Sequence, residues 1–386
     1  MQTFMDEIFR PFRRAEQRRW AQLYLWALIH VSGKKTPRRM ALAKPLPSAA
    51  AHGLHRFINA SPWDWQPVRR RLARRIAASA TPHAWTVAEL IIPKRGEHSV
   101  GVHRRVDTAT GQTVNCQRAM GLFLDTATHC FPVDWSIVLD GAWDSDRERR
   151  RRARIPETET GRPAGAYVLG YAADVSAQPQ LPRIPWVLDL TGWDDACRVL
   201  AGLARLRLDV VCEVDPDRLV LTGQHTPTLS TVGELMELRH ARQTHVLVRR
   251  TAQGRTEAVP IHAYAGTVRL PGLGAGDESG SRTYRVLERP DPDGRQPARY
   301  WITTLTDRRV EEVLRLARSR AAALSTVATL QKRFGVLDFE GRSFPGWHHH
   351  MTMASAAYAY QHLYAAPGAP PPEPAEPSGE LAGAAS

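Results

Sequence analysis

The stretch "HAWTVAELIIPKRGEHSVGVHRR", His83 to Arg105, reads as two strands joined by a turn. From Trp85 the hydrophobic period moves towards two, the repeat of a half-buried strand. Pro93 and Gly96 then interrupt it. Lys94 and Arg95 load the turn with positive charge, which asks for an acidic or phosphate partner close by. Strands are expected at 85–92, 98–106, 112–124 and 135–139. A basic, helical segment "DRERRRRARIP" follows from Asp146 to Pro156. Next come an apolar strand "IPWVLDLTG" (184–192), a helix near 194–205 and the strand "LDVVCEV". Several strands before the first helix, then alternation of strand and helix, indicate a mixed α/β sheet.

Further along, residues from about 215 to 305 are rich in Thr, Val, Arg and Gly and read as a β-rich insertion, with a loop at "PGLGAGDESGSR". One long helix is expected at 308–334 and a last one over "HHHMTMASAAYAYQHLYA". The tail, 365–386, has the Pro, Gly, Ala and Glu composition of a disordered segment.

Ahead of the first strand, residues 1–80 read as a set of helices, with Ser61-Pro62 as a cap and first-turn proline. This fifth of the chain carries 16 Lys and Arg against 4 Asp and Glu, almost all of the net charge of +13. An excess so local marks a polyanion-binding module on a near-neutral body. A solvated basic face is the plainer alternative for any single helix, Arg69, Arg70, Arg71, Arg74 and Arg75 included. For the run from Arg147 to Arg154, with Arg150 and Arg151 at its centre, a phosphate-tracking face and a solvated helix end stand level.

Other classes are disfavoured. No apolar run reaches the ~18–20 residues of a membrane span, and the first residues lack the pattern of a secretory leader. The four cysteines form no C-x-x-C pair, so a reducing cytosol is expected and a disulfide framework or zinc site is not. "GLGAG" lacks the spacing of a phosphate loop. The histidines of "GWHHH", His348 to His350, sit about 100° apart on a helix and cannot share one face, so packing is their expected role.

Three groups of residues, in this order, carry a resemblance. They are "FINASPWDWQPVRRRLARR" (57–75); "IIPKRGEHSVGVHRR" with "TGQTVNCQ", "FPVDWSIVL" and "RRRRARIP"; and "LDFEGRSFPGWHHHMTMASAAYAY" (337–360). Together they resemble the DDE-type transposases of bacterial insertion sequences, the insertion-sequence 701 family in particular, from about residue 8 to residue 362. The resemblance implies an RNase H-like mixed sheet flanked by helices, a β-rich insertion and an N-terminal helical DNA-binding region. The domains would be 1–80, 81–364 and the tail. It implies strand cleavage and transfer on double-stranded DNA by a homodimer in the cytoplasm, associated with the nucleoid, with no membrane partner. The chemistry would use two Mg²⁺ ions held by three carboxylates, because Mg²⁺ is hard and prefers oxygen.

The same resemblance locates those carboxylates. The strand before the Pro-Lys-Arg-Gly turn carries an Asp pair in the family; here Ala88 and Glu89 stand there. Neighbours on a strand point to opposite faces, so either 88 or 89 is the ligand position, and the sequence leaves both open. The second carboxylate is kept as Asp189, the one clear catalytic and metal-ligand candidate, followed by Leu190 and Thr191 in place of a small pair. The third position falls on Leu324, which shares a stripe with Val310, Leu314, Ala317, Ala321 and Val327 and reads as a core leucine. Lys94 and Arg95 would lie near DNA or the site, with Arg69, Arg70, Arg74, Arg150 and Arg151 as further DNA contacts. The expectation is a transposase by descent that keeps DNA binding and has weak or no cleavage. An active Mg²⁺-dependent enzyme, a domesticated non-cleaving regulator and a scaffold binding RNA or protein are the alternatives.

Overall fold

The computed structural model describes residues 2–43, 50–106, 111–223, 226–250, 256–271, 282–291 and 295–364. Residues 272–281 of the glycine-rich loop and the tail from 365 lie outside the described residues. Five helices come first: α1 (Gln2–Ile8), α2 (Ala15–His30), α3 (Pro37–Leu42), α4 (Ala50–Asn59) and α5 (Trp65–Ser79). Then follow β1 (Pro82–Pro93), β2 (Val102–Val106), β3 (Thr113–Thr126), β4 (Cys130–Val138), α6 (Gly141–Ser145), α7 (Arg147–Ala153) and α8 (Ala164–Ser176). The next segment holds β5 (Trp186–Asp189), α9 (Ala196–Arg205) and β6 (Val210–Val214). The β-rich part comprises β7 (Leu219–Thr222), β8 (Thr228–Thr231), α10 (Val232–Glu237), β9 (Arg242–Arg250), β10 (Thr256–Tyr264), β11 (Arg285–Arg289) and β12 (Arg299–Thr303). The chain closes with α11 (Val310–Ala317), α12 (Ser319–Arg333) and α13 (Phe344–Tyr364).

The sheet is built on β1. It pairs antiparallel with β3 on one side and parallel with β5 on the other. β4 pairs with the second half of β3 and β2 with its first half, while β6 lies parallel beside β5. The order β4-β3-β1-β5-β6, three antiparallel strands followed by two parallel ones, is an RNase H-like sheet. β12, β11, β10 and β9 extend it antiparallel from β6. Being central, β1 is buried from Ala84 to Leu90 except at Glu89. Trp85 sits in register with Trp186, and the two rings stack at 6.2 Å.

Local chemistry moved several boundaries. Helix α5 starts at Trp65, not at Pro62: the Asp64 carboxylate accepts the Gln66 N–H and is the cap. Ser61 instead accepts a hydrogen bond from Gln17. The expected helix 308–334 is two helices broken at Arg318. Helix α8 was not anticipated, because its Ala- and Gly-rich sequence carries only a faint stripe.

Helix α13 is buried along almost its whole length and packs against β4, α2, α4 and α5. A helix apolar on every side belongs in a core. The N-terminal helices therefore share one continuous apolar cluster with the sheet, from Phe4 to Tyr360. The three histidines are part of it. His350 lies between the Tyr24 hydroxyl at Nδ1 and the Gly335 carbonyl at Nε2, both 2.8 Å away. Gly335 ends the preceding helix at φ +67°, a left-handed turn that favours glycine. His349 stacks on Trp63, and His348 stacks on Trp65. Packing is thus the role the structure gives all three.

Candidate active site

The parallel register places the candidate carboxylate position. Thr86 pairs with Val187; two residues further, the same register sets Ala88 beside Asp189. Ala84, Val187 and Val211 share an apolar cluster with Val310, Val313 and Leu314 of α11. By alternation, Ala88, Asp189 and Glu213 point to that same helix-covered face. Asp189 and Glu213 are direct neighbours across β5 and β6. Glu89 points to the other face, where its carboxylate meets Arg118 at 2.6 Å and Arg105 at 3.7 Å. The structure does not bring Glu89 and Asp189 together.

Both oxygens of Asp189 have protein donors. Oδ1 accepts from the Thr191 N–H at 3.0 Å and the Thr191 hydroxyl at 2.5 Å. Oδ2 meets Arg320 Nη1 of α12 at 3.0 Å. Glu213 is likewise taken, forming a two-pronged pair with Arg299 that holds this guanidinium firmly charged. Neither Arg320 nor Arg299 stood out in the sequence. Arginines near a lone carboxylate are visible only once strand order is known.

Leu324 stands one turn after Arg320 on α12 and is 43% exposed. It is not the core leucine expected. The break at Arg318 resets the helical phase, so the stripe drawn through Val310 and Leu314 does not continue across it. The buried stripe of α12 runs instead through Ala323, Thr326, Val327 and Leu330. Ala88 is 2% exposed and offers only a methyl group. The side chains assembled here are two engaged carboxylates, Asp189 and Glu213, their guanidinium partners Arg320 and Arg299, and two hydrocarbons. Among the described residues, no group of three or more His, Cys, Asp or Glu is placed to hold a metal ion.

The basic candidates divide by burial. Arg69 is 2% exposed. It donates to Asp134, Thr352 and the carbonyls of Trp135 and His348, so it is no DNA contact. Lys94 donates to the Phe339 carbonyl at 2.8 Å. Burial lowers its pKa, while Asp338 and Glu340 pull the other way. These two acids, from the "LDFEGR" segment, are the acidic neighbours that the charged turn asked for. Arg150 binds Asp144 and the carbonyls of Pro156 and Glu159, bracing the loop after α7. Arg151 is exposed and paired with Glu148. Arg70 and Arg95 are exposed, and Arg74 reaches Gln178 at 3.4 Å.

The quoted sequence blocks thus meet in space. Lys94 reaches Phe339, Arg154 reaches Asn59 and Ser343, and His349 reaches the carbonyls of Ile58 and Trp63. A Cβ on Gly341 would run into the Asn59 side chain and the Phe339 ring, so the approach is close. Residues far apart in the chain are tied in one hub beside the sheet.

Curated proteins offer no match to the chain. A family model described as DDE superfamily endonuclease matches residues 7–258, well over half of the sequence. With that match, and with the RNase H-like strand order beneath it, the chain belongs to the DDE superfamily endonucleases.

Proposed function

We propose that this is a transposase of the insertion-sequence 701 type that binds double-stranded DNA through its N-terminal helices and has lost most or all strand cleavage. Family members use divalent ions such as Mg²⁺, which need oxygen ligands from separate elements. The residues here do not fit that group. The observation that carries the reading is the state of Asp189, whose two oxygens are held by Thr191 and Arg320. Ala88 beside it supplies no donor, and Leu324 on α12 supplies none either. A homodimer on paired DNA ends and a place at the nucleoid follow from the family and belong to the same proposal.

One observation favours a second reading. Asp189 and Glu213 lie side by side on one face, and two carboxylates are enough for Mg²⁺ when substrate phosphates complete its shell. Cleavage would then require Arg320 and Arg299 to let go. A supercoiled-plasmid assay with Mg²⁺ or Mn²⁺ separates the two. The expected result is no nicking above the protein-free rate, with Asp189→Ala and Glu213→Gln indistinguishable from the parent and DNA still retarded on a gel. Metal-dependent nicking that either substitution abolishes would establish the second reading.

A further inference from the structure

Between Glu16 and Asp64 the chain carries eight Lys and Arg and no Asp or Glu. This acid-free run contains α3 and α4, which pack on each other. Helix α4 is amphipathic. Ala50, Leu54, Phe57 and Ile58 are buried, whereas His52, His55 and Arg56 are exposed. The three exposed residues fall within about 100° of the helix circumference at 100° per residue. Among the described residues, no hydrogen bond or ion pair engages their side chains. Arg38 on α3 is exposed in the same way.

The arginines of α5 are placed differently. Arg69 is consumed internally, Arg75 pairs with Glu7 and bonds Tyr364, and Arg70 lies beside Asp174. Two of the five α5 arginines are thus paired with acids and a third faces Asp174, whereas among the described residues no acid pairs with the exposed arginines of α3 and α4. An uncompensated basic helix face fits a polyanion. An exposed stripe of this width also fits the major groove of B-form DNA, where Arg pairs with guanine edges.

We infer that α4 is the base-reading helix, with His52, His55 and Arg56 facing base edges and Arg38 and Arg39 on α3 holding phosphates. The inference rests on the DNA-binding part of the proposed function and names the surface that carries it. In this arrangement Arg56 discriminates between sequences, and Arg38 and Arg39 add affinity without discrimination.

The test uses the full-length chain. A duplex is first selected from a random-sequence library, and its affinity is compared with that of unselected duplex by gel retardation. Arg56→Ala is expected to lower the preference for the selected duplex by about ten- to a hundredfold, and a joint His52→Ala and His55→Ala variant to lower it also. Arg38→Ala with Arg39→Ala should weaken both duplexes equally and reduce the salt slope by about two. Arg308→Ala, exposed just before α11 and paired with Glu312, should leave the preference unchanged. Unaltered preference in the α4 variants overturns the inference and leaves DNA binding standing. Equal loss on both duplexes from Arg56→Ala overturns base reading by this helix. Failure of the parent chain to retard any duplex overturns the DNA-binding reading itself, and this inference with it.

Discussion

Replacing Arg69 with methionine is expected to lower stability by about 3–5 kcal/mol, the cost of leaving a buried ionic partner alone. The guanidinium of Arg69 joins three elements. It pairs with Asp134 of β4 at 2.5 Å, donates to the Trp135 carbonyl at 2.7 Å, and reaches Thr352 and the His348 carbonyl on α13 from its own place on α5. Methionine would keep much of the packing volume and remove every donor. Asp134, at 16% side-chain exposure, would lose its cationic partner with little water to replace it. Denaturant midpoints of the two proteins measure the difference. Arg70→Met, one residue along and exposed, is the control and should change stability by no more than about 0.5 kcal/mol. Equal midpoints for the Arg69 and Arg70 variants would show that the network carries no net stabilisation.

Acidification should unfold the protein through its buried histidines. Burial pushes His350 down to about 4, against an ordinary value near 6.5. His349 is also pushed down to about 4 by burial, with its two carbonyl partners acting in the opposite sense. His348 is held well below the usual range by burial and by the Arg69 charge. In each case the unfolded chain takes up a proton before the folded one does. Stability is therefore full above pH 6.5 and falls as the pH drops towards 4. For His350 alone the loss over that window is about 3 kcal/mol, at 1.36 kcal/mol per pH unit. Asp125 and Asp174, raised by burial, act in the opposite direction in the acid range. Urea midpoints recorded from pH 7.5 to pH 4.5 should fall steadily. His350→Gln, which can still donate to Gly335 and accept from Tyr24, should flatten the slope. Identical slopes for the two proteins would remove His350 as the cause.

Much of this architecture was legible because strands advertise themselves. The alternation from Trp85, the apolar run ending at Asp189 and the closing apolar helix each correspond to an element of the structure. What sequence could not supply was facing. The stripe through Leu324 assumed one continuous helix, and the break at Arg318 undid it. Glu89 and Ala88 are adjacent letters, yet only strand order shows which of them shares a face with Asp189. Arg69 and Arg70 are equally basic on paper; one lies inside a polar network and the other in solvent. Likewise, the Thr191 hydroxyl and Arg320 gain their significance from a carboxylate that each reaches by folding, not by spacing.

The burial of α13 against both the N-terminal helices and the sheet has an evolutionary consequence. Under the proposed function, a chain whose two parts stand on one core can lose its chemistry without losing the fold of either part. Selection acting on DNA contact alone would still reject substitutions that loosen the sheet, because the same helix supports both. Such coupling lets a catalytic scaffold persist as a passenger, its shape policed by a neighbour long after its own chemistry has ceased to be tested.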